Sequence, residues 1–177
     1  MSVTVEMNFN LKRINLDFSK ELNKAGQVIK KDHYQRLEIG KGVDGSKMKA
    51  LSPNTIAAKG NNKILVETGK MRHLVVDKAN KTKQVVEIHP GEKRLYKGTN
   101  VTQSDVGGFH QEGTSSYTIT PKKAKKLSFK TAGGWVHTNK VNHPGLPKRE
   151  WFGISKDAEK QCINLMEERI ERELRRA

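Results

Sequence analysis

Residues 141–160, VNHPGLPKREWFGISKDAEK, join a run of turn-forming residues to the start of a helix. His143-Pro144-Gly145 is a turn signal, because proline fixes its own φ and glycine accepts left-handed backbone. Pro147 restricts the residue before it to extended backbone, which predicts an extended approach to Trp151-Phe152. Ser155 follows as a helix cap. We interpret the Trp-Phe pair as a hydrophobic anchor that fixes the helix to its own sheet or to an adjacent subunit.

The helix that follows is the clearest element of the chain. Acidic Asp157 and Glu159 lie in its first turn and arginines lie near its end, so both ends complement the helix dipole. Its apolar residues recur at steps of three and four, which predicts one packed face. That face comprises Ala158, Cys162, Ile163, Met166, Ile170 and Leu174.

The N-terminal part predicts a strand and a second helix. Apolar and polar residues alternate over residues 3–11, a pattern typical of a half-buried strand. Asp17 or Ser19 then caps a helix with an apolar face of period three to four. That face comprises Phe18, Leu22, Ala25, Ile29, His33 and Leu37.

The middle of the chain predicts loops and a hairpin. Residues 40–60 form a long loop, in which Ser52 caps a short helical turn with Pro53 in its first position. Residues 73–79 and 83–89 predict a β-hairpin, and 102–113 a short helix or loop. Together these elements predict a single α+β domain over residues 1–177, with long loops. In it a small, mainly antiparallel sheet is packed by an N-terminal and a C-terminal helix.

Positive charge is concentrated in one segment. The chain has a net charge of +15, and residues 115–149 contain eight basic residues and no acidic one. We interpret 114–149 as an inserted basic β-hairpin. Its charge favours an anionic partner such as a phosphate backbone, an acidic protein surface or an anionic lipid, and the alternative is a solvated face that keeps the protein soluble. An aromatic near the lysines could stack on a base; alternatively, the lysines face water and the aromatics face the core or a neighbouring subunit. The candidate anionic-partner contacts are Lys122, Lys123, Lys125, Lys126 and Lys130.

The sequence makes no positive case for an enzyme. Residues 40–47, GKGVDGSK, reverse the Lys-Ser order that a phosphate-binding loop requires. The six histidines have no metal-site spacing, and Cys162 is predicted to lie beside an apolar helical face that disfavours a thiolate. We therefore predict no catalytic residue, no cofactor and no metal. No apolar run is long enough to span a membrane, so we expect no membrane contact.

Several motifs in order resemble one family. They are DGSKMKALSPNT at 44–55, ILVETGKMR at 64–72, FHQEGT at 109–114 and LPKREWFGIS at 146–155. The stretches ITPKKAKKLSF at 119–129 and VNHPG at 141–145 are similar to a related branch. This ordered set resembles the phage virion morphogenesis family, the tail-completion or tail-terminator proteins of tailed phages and prophages.

The resemblance implies a structural protein of the virion tail or neck, assembled in the bacterial cytoplasm. Such proteins cap the head-proximal end of the tail as a homo-oligomeric ring, here expected to be a hexamer. Its partners would be tail-tube and head-connector proteins, with DNA passing through the ring. The candidate partner contacts are Leu51, Pro53, Trp135, Pro147, Arg149, Trp151 and Phe152. The alternative function is a nucleic-acid-binding protein that uses residues 115–149.

Overall fold

A computed structural model describes residues 17–67, 69–91 and 100–176. The strand predicted over residues 3–11 lies outside the described residues. The described part forms four helices and six short strands, which confirms the α+β class. In chain order the elements are α1 (Ser19–Glu38), α2 (Pro53–Lys59), β1 (Leu74–Asp77), β2 (Glu87–Pro90), α3 (Gln103–Glu112), β3 (Tyr117–Ile119), β4 (Leu127–Thr131), β5 (Gly134–Thr138), β6 (Val141–His143) and α4 (Lys156–Leu174).

Helix α1 forms where its sequence predicts it, but the prediction of its cap is wrong: the N-cap residue is Phe18, which makes no side-chain cap, rather than Asp17 or Ser19. The Asp17 carboxylate accepts a hydrogen bond of 3.0 Å from the Ser19 N–H and so satisfies one of the free donors of the first turn. On the predicted face, Ala25, His33 and Leu37 are buried and the other three residues are half-buried. The burial of this face confirms the helix and the orientation that its apolar periodicity predicts.

The strands pair in three separate two-stranded antiparallel ladders within the described residues, rather than in one sheet. β1 and β2 form the predicted hairpin, with Asp77 opposite Glu87 and a longer connection than expected. β3 pairs with β6, and β4 pairs with β5. The strands are only three to five residues long.

The two ladders of the basic segment are nested. We call residues 117–143 the basic arm: β3 and β6 form its base, and the β4–β5 hairpin forms its end. Helix α2 packs against β4, and the Asn54 side chain accepts a hydrogen bond of 3.2 Å from the Ala132 N–H. The segment predicted as a hairpin excursion is thus a two-part arm that rests on α2.

Helix α4 begins after Ser155, as predicted, and packs against α1. The prediction of its packed face is wrong in the C-terminal half. There Arg169 and Glu173 are buried instead, whereas Ile170 and Leu174 are 46% and 50% exposed; Ile163, nearer the middle of the helix, is also 50% exposed. Arg169 bonds to Glu173 and lies near Glu21 of α1, so an ionic cluster occupies this end of the contact between the helices.

The core lies where α1 meets the loop before β1 and the chain before α4. Its buried apolar residues are Leu37, Leu65, Met71, Leu74 and Trp151. The largest buried side chain, Trp151, comes from the chain before α4 and not from a helix or strand. The packing of this loop therefore determines how the neighbouring elements are held.

Candidate interaction surfaces

Residues 146–155, which we call the crossing segment, run between α1 and α3. Trp151 at its centre is 1% exposed, and its indole Nε1–H donates to the carbonyl oxygen of Gly107 at 2.8 Å. The backbone N–H groups of Trp151 and Phe152 both donate to Gln111 Oε1 at 3.1 Å. The Gln111 amide in turn donates to the Phe152 carbonyl oxygen. Helix α3 therefore holds the segment through its backbone as well as through the indole.

Helix α1 holds the other side of the crossing segment. The Arg36 guanidinium donates to the carbonyl oxygens of Trp151 and Gly153 at 3.4 and 3.2 Å. It also pairs with Asp32, whose second carboxylate oxygen accepts a hydrogen bond of 2.9 Å from the Ser155 hydroxyl. The same hydroxyl oxygen accepts the Ala158 N–H that opens α4. Of the two anchoring alternatives, these contacts favour attachment of α4 within its own chain.

Arg149 is the second buried residue of the crossing segment. Its backbone N–H donates to the His110 carbonyl oxygen at 2.7 Å, and its Nε donates to the Lys49 carbonyl oxygen at 3.2 Å. Burial lowers the pKa of Arg149. Neither Arg149 nor Trp151 reaches the surface of the protomer, so each holds the segment in place. A partner contact of the half-buried Pro147 and Phe152 stays a prediction.

Two histidines lie beside the crossing segment. His33 is fully buried, with its Nε2 3.2 Å from the Met71 carbonyl oxygen and its ring centroid 5.3 Å from that of Trp151. Burial lowers the pKa of His33. Burial, with the cationic Arg149 and Lys59 nearby, lowers the pKa of His110 to about 4. Both rings are therefore neutral at physiological pH and pack as core groups.

Neither a metal cluster nor a membrane-spanning helix is found in the described part of the chain. Over residues 17–67, 69–91 and 100–176, no group of three or more His, Cys, Asp or Glu side chains is placed to hold a metal ion. No described helix combines the length and apolar character that crossing a bilayer requires.

The loop around Leu51 and Pro53 forms the first of three surfaces. Leu51 is half-buried and lines a cavity of about 180 Å³ with Met71 and Val106. Pro53 is exposed at the first position of α2, whose cap at Ser52 matches the prediction. The loop is therefore partly packed and partly open to solvent. Its contact with a partner stays a prediction.

The basic arm is the second surface. Its five candidate lysines, at 122, 123, 125, 126 and 130, are all exposed and form no salt bridge among the described residues. Trp135 is 69% exposed and lies directly opposite Lys130 in the β4–β5 ladder, so the two side chains share one face. The structure thus presents an exposed indole beside Lys130 on an arm that carries further exposed lysines. Direct contact of this arm with DNA stays a prediction.

The third surface was not predicted from the sequence. A groove of about 390 Å³, which we call the apolar groove, lies between α1, the region of β2 and α4. Ile154 and Ile163 on its walls are 55% and 50% exposed, and Glu159 and Glu167 stand among its lining residues. The sequence signal was the apolar stripe of α4, which was predicted to be packed along its whole length, whereas Ile163, Ile170 and Leu174 are exposed.

Cys162 lies in this groove rather than in a closed core. Its side chain is half-buried, and its Sγ lies 3.8 Å from the Ala25 carbonyl oxygen of α1. Burial raises the pKa of this thiol, which disfavours the reactive thiolate. The thiol therefore serves as a small apolar wall of the groove.

The comparisons with known proteins agree with the motifs in the sequence. The model of the phage virion morphogenesis family matches residues 9–171, which include the crossing segment, the basic arm and almost all of α4. Comparison with curated proteins and with solved structures gives no match. The family match covers nearly the whole chain and confirms the resemblance predicted from its motifs. The chain therefore belongs to the phage virion morphogenesis family.

Proposed function

We propose that this protein completes or terminates the head-proximal end of a phage tail and helps to join the tail to the head. It acts as a ring of identical subunits, a hexamer by family resemblance, located in the neck of the virion. Its other partners are the tail-tube and head-connector proteins, and DNA passes through the ring. Membership of the family supports a role in virion assembly, and the surfaces of the protomer support the more specific statement.

The observation that carries the proposal is the apolar surface left open along α4. Ile163, Ile170 and Leu174 lie on one side of the helix, each about half exposed. The apolar groove adjoins this row. Monomeric proteins rarely expose contiguous apolar surface, and such surface usually marks contact with another protein. Identical subunits in a closed ring would cover it on every copy at once.

The buried crossing segment supports the same function from inside the protomer. It ties α1, α3 and the start of α4 together through buried side chains and long-range hydrogen bonds. Because these contacts fix the helices relative to one another, partners bound on two faces of the subunit would be held in a fixed relative orientation. The proposal involves no catalytic step, cofactor or metal.

The test is genetic. We expect that a phage lacking this gene produces heads and tails that accumulate unjoined, with tails of irregular length, in electron micrographs of the lysate. Supplying the intact protein from a plasmid should restore joined, infectious particles. Normal particles made in the complete absence of the protein would rule out the proposed role.

A further inference from the structure

The apolar groove is open in the protomer and is large enough for an aromatic side chain. Its volume of about 390 Å³ lies within the range of roughly 300–1,000 Å³ that is typical of ligand pockets. Its walls are mostly aliphatic, with Leu22 and Ile29 from α1 and Met166 from α4. A flat indole would fill such a groove better than a branched aliphatic side chain, because it buries more area with few rotatable bonds.

The groove also carries negative charge. Glu159 and Glu167 line it, and neither forms a salt bridge in the described part of the chain. Other acidic groups of α4 are occupied, since Glu171 and Glu173 pair with arginines of the same helix. An occupant with an apolar centre and a positive rim would therefore match the groove.

The end of the basic arm has that chemistry. Trp135 is 69% exposed, and Lys130 lies directly across the ladder from it. Residues 115–149 contain eight basic residues and no acidic one. The exposed indole and the basic residues of the arm thus complement the apolar walls and the two glutamates of the groove.

We propose that Trp135 of one subunit docks in the apolar groove of the next subunit, with the arm lysines facing Glu159 and Glu167. The proposal rests on the function proposed above and names the contact between subunits. Arm and groove share no residue, so the contact is head-to-tail. In a pair joined this way, the subunit that gives its arm keeps a free groove and the other keeps a free arm. Such a contact repeats from one subunit to the next, and it forms a closed ring when the rotations between neighbouring subunits add up to a full turn.

The first test measures self-association of the intact protein by light scattering and analytical ultracentrifugation. Trp135→Ala should weaken association by about 30-fold or more, the effect of losing an interface residue worth roughly 2 kcal/mol. Phe109→Ala is the control, because Phe109 is a comparably exposed aromatic, 54%, that lies on neither surface. Fluorescence adds a direct readout. Trp151 is already buried, so a blue shift on association would report Trp135.

The second test uses Cys162, the single cysteine of the chain, which lines the groove. Lys130→Cys places a second thiol beside Trp135 and leaves the indole intact. A chain with Lys130→Cys and Cys162→Ser is mixed with the intact chain, so that each chain has one thiol. Mild oxidation should give mixed disulfide-linked dimers, because a disulfide requires Cα atoms within about 7 Å. Ser104→Cys, at an exposed position on α3, should not cross-link.

The outcomes separate this contact from the proposed function. If the protein oligomerises but Trp135→Ala has no effect and no mixed disulfide forms, the contact is refuted while the ring remains. In that case a different partner covers the groove. Loss of DNA binding in Trp135→Ala with unchanged self-association also refutes it, as does a strictly monomeric protein. Normal virions without the gene would refute the function itself.

Discussion

Two adjacent glycines of α3 allow the burial of Trp151 to be tested by one substitution made at two positions. A Cβ atom added at Gly107 would lie 2.3 Å from Trp151 Cζ2, closer than real Cβ atoms approach any neighbour. A Cβ atom added at Gly108 would meet nothing within 4 Å. Both residues lie inside the same helix, so the change in helix propensity is the same for both.

The two substitutions are expected to have opposite effects on stability. Alanine in place of glycine in a helix interior stabilises it by about 0.5–1 kcal/mol, which is the whole effect expected for Gly108→Ala. Gly107→Ala gains the same amount but forces the indole away from the Gly107 carbonyl oxygen, and overpacking of this kind costs about 1–3 kcal/mol. The difference between the two variants, about 1–3 kcal/mol, therefore measures the packing of Trp151 alone.

Urea denaturation followed by circular dichroism would measure this difference. The melting temperature should follow, with a separation of about 2–4 °C for each kcal/mol. Near-ultraviolet circular dichroism would show whether the indole has moved in Gly107→Ala. If the two variants are equally stable, Trp151 does not pack against α3 as described, and the anchoring role of the crossing segment must be abandoned.

Three further predictions concern single side chains. The pKa of His110 is about 4, below the ordinary 6.5, so the unfolded state binds more protons between these values. The stability contributed by the neutral ring should be complete above pH 6.5 and should fall as the pH falls towards 4; urea titrations at several pH values test this. The exposed His137→Asn serves as the control, and a flat profile would contradict the prediction. Asp32→Asn leaves the buried Arg36 without its partner and should cost roughly 3 kcal/mol in the same assay, whereas a loss below about 1 kcal/mol would mean that the pair acts as a surface pair. Thr102→Ala removes the capping box of α3 and should cost about 1 kcal/mol, and an unchanged urea midpoint would count against a working cap.

The elements predicted correctly are those whose signals are local. Ser52 and Ser155 cap helices through hydrogen bonds to a backbone N–H three residues on, so the sequence nearby is sufficient to identify them. The periodicity of α1 and the hairpin of β1 and β2 likewise depend on neighbouring residues. The family motifs are similarly short, and their order along the chain identified the family.

The elements that were missed depend on contacts between distant residues. The buried side of α4 is set by Arg169 and its contact with Glu21, nearly the length of the chain away. The sequence pattern favoured the apolar stripe instead, because periodicity shows which residues share a face but not whether that face is covered. The apolar groove was missed for the same reason: it exists only where α1, β2 and α4 meet.

Trp151 illustrates both sides of this limit. Its position ahead of a cap identified it as an anchor, but the residues that receive it, Gly107 and Gln111, lie 44 and 40 residues earlier in the chain. Nothing in the local pattern distinguishes a tryptophan that is buried in its own chain from one such as Trp135 that is exposed. The two have opposite environments in the folded protein.

The contacts of the crossing segment also bear on the order in which parts of the fold form while the chain is synthesised. The hydrogen bonds from Arg36 to the Gly153 carbonyl oxygen and from Ser155 to Asp32 join residues that are 117 and 123 positions apart. Contacts of such separation form late, because a long loop must close before they contribute. A nascent chain on the ribosome therefore leaves one side of α1 uncovered until the crossing segment and α4 have emerged. Only then does the groove acquire its α4 wall, so incomplete chains cannot enter an assembly that depends on that wall.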